Sequence, residues 1–288
     1  MPASGSNRLP PPRRVLIAED QPEAHAVRQF IASDQWRSPG SFEPLITRNP
    51  RYRLYEFSLV GTQTRCILKI ARAAPETYRP ARLLGVWFSH LTRDPARRAY
   101  RGARLLARHG IPTFRPLACW RARTAGFWPD SFLLYAKINA RFSLRDFLLG
   151  ATGLSPEENA QSLAMLTESF ADLVAHMHRQ GVLHNDLACG NFLVDDHNLI
   201  HVIDADHVRY SPLRWPPGLK RFFDLNDLRR LNLHEPLQRI FLHRYLGGRH
   251  SNFWWRVFLF WHRGGNRPIR WLLRQVRLRA ALAARSDE

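Results

Sequence analysis

The alternation of apolar and polar positions divides the chain into a strand-rich first part and a helix-rich second part. Residues 1–14 (MPASGSNRLPPPRR) are rich in Pro, Ser and Arg and predict a flexible leader. A short helical pattern follows over Pro22–Ala32, and Ser38-Pro39-Gly40-Ser41 breaks the chain. Tyr52–Val60 and Arg65–Ala71 have strand character, and Gly61-Thr62-Gln63-Thr64 between them predicts a β-hairpin. The second of these strands carries Lys69 between Leu68 and Ile70. Asp94–His109 predicts a helix with Asp94 as N-cap, Pro95 at the first position and Gly110 just past the end. Leu117–Trp120 and Phe132–Ile138 are apolar runs of strand length.

Beyond them the period becomes helical. Ser155-Pro156-Glu157-Glu158 combines a Ser cap, Pro at the first position and Glu three residues after the cap. Leu163, Leu166, Phe170, Leu173 and Met177 then recur at helical spacing as a core stripe, and Gly181 stops the helix. Strands first and helices later define an α+β protein with a sheet lobe and a helical lobe.

Composition narrows the class. A chain of 288 residues that is 45% hydrophobic and 23% charged can bury a core, which excludes wholesale disorder. The formal charge is +19, and Lys69, Lys137 and Lys220 are its only lysines; the other basic residues are arginines. Such an excess fits an anionic partner, although coding bias produces the same excess. No nucleic-acid recognition motif accompanies it, so nucleic acid is not the expected partner. The helix region Arg93–Arg108 fits either a contact to an anionic acceptor or a solvated face. Cys66, Cys119 and Cys189 are far apart, lack metal spacing and are odd in number, which predicts a reducing compartment. No apolar run has the length of a signal peptide or a spanning helix, so the expected location is cytoplasmic, with peripheral contact to the inner membrane. That contact is expected from the stretch after Ser251, where Trp254, Trp255, Trp261 and Trp271 stand among eight arginines. The same aromatics would also suit a helix capping the helical lobe.

The candidate chemistry lies in Val182–Tyr210, VLHNDLACGNFLVDDHNLIHVIDADHVRY. Its apolar pairs Leu193-Val194, Leu199-Ile200 and Val202-Ile203 leave His184, Asp186 and Asn191 on a loop and Asp204 at a strand end. Asn191 is five residues after Asp186, and Asp204 is thirteen after Asn191. These spacings match a kinase catalytic loop followed by a metal-binding aspartate, and a chance match in this composition is about one in a thousand. Phosphoryl transfer uses these residue types. One carboxylate takes the proton of the attacking hydroxyl, while a second carboxylate and an amide oxygen hold Mg²⁺ against the phosphates. A lysine on the sheet lobe, here Lys69, neutralises the transferred charge. Asp206 reads as a second metal ligand or a local salt bridge, and His184 as a structural residue of the loop. Cys189 reads as packing, and Asp224 or Asp227 could tie to the loop backbone.

From about Leu54 to Leu231 the chain resembles the lipopolysaccharide kinase (Kdo/WaaP) family. The resemblance rests on the Lys69 strand, HGIPTFRPLA (His109–Ala118), HNDLACGN (His184–Asn191) and VIDADHVR (Val202–Arg209). It implies an α+β, protein-kinase-like two-lobe fold, with a small β-rich N-lobe over 39–138 and a larger helical C-lobe over 139–250. Residues 1–38 would form a leader and short helix, and 251–288 basic aromatic helices. It also implies an ATP- and Mg²⁺-dependent kinase acting on a sugar hydroxyl, heptose or Kdo, of the lipopolysaccharide core or a related glycolipid. By position, Asp186 would be the catalytic base, Lys69 would contact ATP phosphates, Asn191 and Asp204 would bind Mg²⁺, and His184 would shape the loop.

Three departures from the protein-kinase pattern stand out. Leu45–Tyr52 (LITRNPRY) occupies the place of a Gly-rich loop; RRAYRGARLLARHG has no Glu to pair with Lys69; and Asp204-Ala205-Asp206 replaces Asp-Phe-Gly. They motivate two alternatives: a pseudokinase or membrane-associated interaction module that binds nucleotide without transfer, and a kinase-like enzyme with a protein acceptor.

Overall fold

The computed structural model describes residues 10–45, 51–73, 94–124, 129–150, 156–211, 220, 224–231 and 233–248. The leader before residue 10, the expected Ser155 cap, residues 46–50 within Leu45–Tyr52, and the basic aromatic segment from residue 251 lie outside the described residues. The chain forms two compact units, Met1–Leu144 with Asn191–Tyr210, and Arg145–Gly190 with Ser211–Glu288.

The first unit is built on six strands: β1 (Arg13–Ile17), β2 (Glu43–Leu45), β3 (Tyr52–Ser58), β4 (Arg65–Ala71), β5 (Pro116–Ala122) and β6 (Asp130–Ala136). They form one sheet in the order β1-β5-β6-β4-β3-β2, every pair antiparallel. Strand side chains alternate between faces. Cys66, Leu68 and Ile70 of β4 and Phe132 and Leu134 of β6 therefore share one face. They form a core with Val27, Phe30 and Ile31 of α1 (Ala24–Ala32) and with Trp36 and Trp120. Trp120 stacks on Phe132 at 5.3 Å, and Trp36 meets both edge-on. Lys69 and Ala71 of β4 and Ser131 and Leu133 of β6 belong to the opposite face, where α2 (Pro95–Arg108) lies against the sheet.

The caps of α2 are those the sequence predicts. Asp94 accepts a hydrogen bond from the Arg97 amide at 3.1 Å, and Gly110 follows the helix end with φ of 68°. The N-terminal segment differs from expectation. Arg13 and Arg14, read as leader, open the edge strand β1, because its backbone finds β5 to pair with. Residues 191–210 also differ, since the sequence groups them with the helical part. Here β7 (Ala140–Ser143), β9 (Phe192–Asp195) and β10 (Ile200–Val202) form a three-stranded sheet within the first unit. Thr113 Oγ1 donates to the Val202 carbonyl at 2.7 Å, and the Val202 amide donates to the Pro112 carbonyl at 2.9 Å. These bonds tether β10 to the segment after α2.

Glu23 knits three parts of this unit together. Both terminal guanidinium nitrogens of Arg115 donate to it at 2.6 Å, and Thr64 of the β3–β4 turn donates at 2.8 Å. The Arg115 hydrogen bonds pull the Glu23 pKa down from 4.5 to about 2, against the opposing effect of burial. A carboxyl lowered by folding stabilises the fold above its unfolded pKa and loses that contribution as pH falls through its folded pKa. The pair should therefore contribute fully above pH 4.5 and fade toward pH 2. With Arg115 partly exposed, solvent screening limits the contribution to about 2 kcal/mol. Urea denaturation of wild type and Glu23→Gln between pH 3 and 6 checks this; the gap should close on the acid side.

After the short helix α3 (Leu144–Leu148), the second unit pairs α4 (Pro156–Arg179) with α5 (Glu235–Tyr245). Phe170 and Phe241, both fully buried, meet at 5.4 Å, and Arg244 holds Asp172 across the solvent edge. In the predicted stripe Leu166, Phe170 and Met177 are buried, and Gly181 ends the helix with φ of 74°. Lys220 donates to the carbonyl of His178 at 2.8 Å, a cation at the C-terminal end of α4 where the helix dipole favours one. The strand β8 (Val182–Leu183) follows α4, and β11 (Arg209–Tyr210) closes the first unit's return segment. No helix among the described residues is long and apolar enough to cross a membrane.

Candidate active site

In the first unit the Lys69 ammonium donates to Asp204 Oδ1 at 3.1 Å and lies 4.5 Å from the centre of the Tyr52 ring. The sequence offered Lys69 no helix Glu; its acidic partner is the carboxylate after β10. Burial by itself would lower the lysine pKa, but the charge of Asp204, helped by Tyr52, Tyr135 and Asp206, outweighs it and shifts the pKa upward. Lys69 is therefore a permanent cation held in a largely buried place.

Asp206 lies beside this pair. Burial pushes its carboxyl pKa up, and the negative charge of Asp204 adds to the rise; His207, Lys69 and Arg98 oppose it. Its Oδ1 is buried without a hydrogen bond among the described residues, with His207 Nε2 at 3.4 Å. Tyr52, Lys69, Ser131 and Asp206 line one cleft, whose floor includes Ala96 and Ala99 of α2. Ser131 Oγ is likewise buried and unpaired among the described residues. Buried polar oxygens ordinarily have partners. Two orphaned oxygens beside a mutually repelling carboxylate pair fit a polar occupant that brings positive charge. Hard oxygens of this kind suit Mg²⁺, which takes one or two carboxylates and fills its remaining positions with water and phosphate. Among the described residues no group of three or more His, Cys, Asp or Glu side chains gathers.

Asn191 ends the short turn Cys189–Asn191, and its carbonyl accepts from the Ile203 amide at 3.0 Å. The backbones of the two candidate metal ligands are thus linked one residue before Asp204. Local sequence also does not reveal Gly102 of α2. A Cβ built there would stand 2.0 Å from the carbonyl oxygen of Ala205. Only a residue without a side chain lets the helix approach the Asp204–Asp206 segment so closely. Gly→Ala in an open helix ordinarily stabilises by about 0.5–1 kcal/mol. Here the clash is with backbone, so Gly102→Ala should destabilise by about 1–3 kcal/mol. It should also displace Asp204. Thermal unfolding with and without Mg²⁺ and ATP measures both effects; a variant that matches or exceeds wild type in both removes the positioning role.

In the second unit the loop after β8 is held from beneath. Asp227, fully buried, accepts from the amides of His184 and Asn185 and lies 3.1 Å from His178 Nε2. His178 Nδ1 in turn meets the Tyr245 hydroxyl at 2.7 Å, linking the loop to α5. Burial would raise the Asp227 pKa, but these hydrogen bonds and the neighbouring imidazoles bring it below the ordinary value. Of the two aspartates the sequence offered for this tie, the backbone bonds go to Asp227, and Asp224 pairs with Lys220. Asn185 takes a left-handed backbone, φ 64°, a conformation Asn tolerates better than most residues. His184 is fully buried, and its Nδ1 accepts from the Asp186 amide at 3.2 Å, so it shapes the turn presenting that residue. Asp186 Oδ1 accepts from Arg230 at 2.8 Å; nothing in the local sequence flags this arginine.

Cys66, Cys119 and Cys189 are buried free thiols, and burial pushes Cys66 and Cys119 up to about 12.

The first unit thus holds a lysine–aspartate pair and the second a backbone-anchored His-x-Asp loop, and these are residue types that phosphoryl transfer uses. A model of the lipopolysaccharide kinase (Kdo/WaaP) family matches residues 85–244, more than half of the chain, and the protein belongs to that family. It is accordingly a kinase of lipopolysaccharide biosynthesis. No curated protein sequence matches it significantly. Among solved structures it is similar to WaaP in complex with acyl carrier protein, at 18% identity over 91% of this chain and 97% of that one, TM-score 0.49. It is also similar to the bifunctional kinase-methyltransferase WbdD, at 15% identity over 74% of this chain and 47% of that one, TM-score 0.41. A third is a rhoptry antigen kinase domain of Toxoplasma gondii, at 12% identity over 78% and 82%, TM-score 0.45.

Proposed function

We propose that this kinase uses ATP and Mg²⁺ to phosphorylate a sugar hydroxyl, on heptose or Kdo, of the lipopolysaccharide core or a related glycolipid. The observation that carries the proposal is the ion pair between Lys69 and Asp204, beside two buried oxygens, of Ser131 and Asp206, that make no hydrogen bond among the described residues. Lys69 neutralises charge on the phosphates of ATP, and its shielded position strengthens that attraction relative to water. Asn191 and Asp204 would hold Mg²⁺, with Asp206 as a further oxygen donor, and the ion would supply neutralising positive charge for phosphoryl transfer. Asp186 orients the acceptor hydroxyl and takes its proton. His184 and Asp227 keep the backbone of that loop in place.

Incubation of the full-length protein with γ-labelled ATP and deacylated lipopolysaccharide core tests the proposal. Label should enter the core, and chelation by EDTA should abolish transfer. Transfer that survives EDTA sinks the Mg²⁺ role, and label that enters only protein replaces the glycolipid acceptor with a protein one. Mass spectrometry of the core from cells with and without the chain then identifies the sugar and the hydroxyl.

The charge of +19 and the aromatic, arginine-rich sequence after Ser251 support a peripheral position on the cytoplasmic face of the inner membrane. Co-flotation with anionic vesicles that is lost in high salt would bear this out, whereas flotation equal on neutral vesicles would count against it.

A further inference from the structure

Arg230 Nη1 donates to Asp186 Oδ1 at 2.8 Å, so a half-exposed cation stands at the residue that meets the acceptor hydroxyl. Arginine carries five N–H donors in a planar fork. Among the described residues Arg230 directs its hydrogen bond to Asp186, and 54% of its side chain is exposed. The open part of the fork is therefore available to a ligand that arrives at Asp186. Its base is fixed, because the turn Leu228–Arg230 follows directly on Asp227, whose buried carboxylate is bonded to the loop amides of His184 and Asn185. One short segment thus anchors the loop and places a cation beside the carboxylate.

We propose that Arg230 is the acceptor-selecting residue of this kinase: it binds an anionic group, a carboxylate or a phosphate, on the sugar next to the reacting hydroxyl. The inference rests on Asp186 being the base, as proposed above. A planar fork matches either anion bidentately.

The test is acceptor discrimination by the full-length protein. Three acceptors are prepared from one deacylated lipopolysaccharide core: native, dephosphorylated with hydrogen fluoride, and carboxyl-reduced. For wild type, kcat/KM should fall about 10- to 100-fold on whichever treatment removes the recognised anion, which also separates carboxylate from phosphate. Arg230→Ala should fall by a similar factor on the native core and lose the discrimination, and Arg230→Lys should recover part of it. The proposal is overturned if neither treatment lowers wild-type kcat/KM. It is equally overturned if Arg230→Ala loses activity evenly on all three acceptors, which is the signature of a structural role. Thermal unfolding of both variants shows that they fold. Asp186→Asn is run beside them: transfer retained by that variant removes Asp186 as base, whatever Arg230 does, so the two failures are distinguishable.

Discussion

Asp186→Ala should lower the rate of phosphate transfer to the lipopolysaccharide core by about 10²–10⁴-fold, the usual contribution of a positioned general base. Nucleotide-dependent thermal stabilisation should stay close to wild type, because the candidate phosphate and metal groups Lys69, Asn191, Asp204 and Asp206 all belong to the other compact unit. Lys69→Met should behave in the opposite way. It leaves Asp204 and Asp206 without their shared cation, so ATP stabilisation should fall together with transfer. The contrast between the two variants matters more than either alone. A pseudokinase would show ATP stabilisation in wild type, its loss in Lys69→Met, and no transfer for Asp186→Ala to remove.

The second large effect is on folding. Asp227→Ala should destabilise the protein by about 3–5 kcal/mol. The estimate follows from what the side chain leaves behind: two loop amides, those of His184 and Asn185, and the ring of His178, all oriented toward a carboxylate that is gone. For a chain of this length that is a fall in Tm on the order of 10 °C. Asp227→Asn keeps the volume and one carbonyl acceptor, so it should lose less than the alanine variant. Differential scanning calorimetry separates them. Because the Asp227 pKa is below its ordinary value, its stabilisation is present above the usual carboxylate range and is lost as pH falls through the folded pKa. The difference between wild type and Asp227→Ala should therefore narrow in acid. Equal stability of Asp227→Ala and wild type at neutral pH would remove the anchoring role.

The contrast between legible and illegible features follows sequence distance. Asp94, Pro95 and Gly110 mark both ends of α2, and each acts on backbone within a few residues of itself. The β3–β4 hairpin and the stripe of α4 are local for the same reason. The His-x-Asp…Asn…Asp series is legible because turn geometry and strand ends hold those residues at short, fixed offsets. The partner of Lys69 is 135 residues away, and that of Asp186 is 44 residues away. No period or cap signal carries information over such distances. Gly102 is a plain helix weakness in sequence and becomes a contact with Ala205 only when the helix is laid on the Asp204 segment.

Sequence by itself therefore determined the β3–β4 hairpin, the helices α1, α2 and α4, the α+β class, the family and the residue types available for phosphoryl transfer. Those properties follow from backbone propensity, side-chain period and short-range spacing. Tertiary structure alone decided that the cation of Lys69 is answered by Asp204 rather than by a helix glutamate. It also decided that the first residues join the sheet, that Asp227 rather than Asp224 holds the loop, and that an arginine sits on the candidate base. Each of these depends on which distant surfaces pack together, and packing is set by the summed burial of the whole chain rather than by any stretch of it.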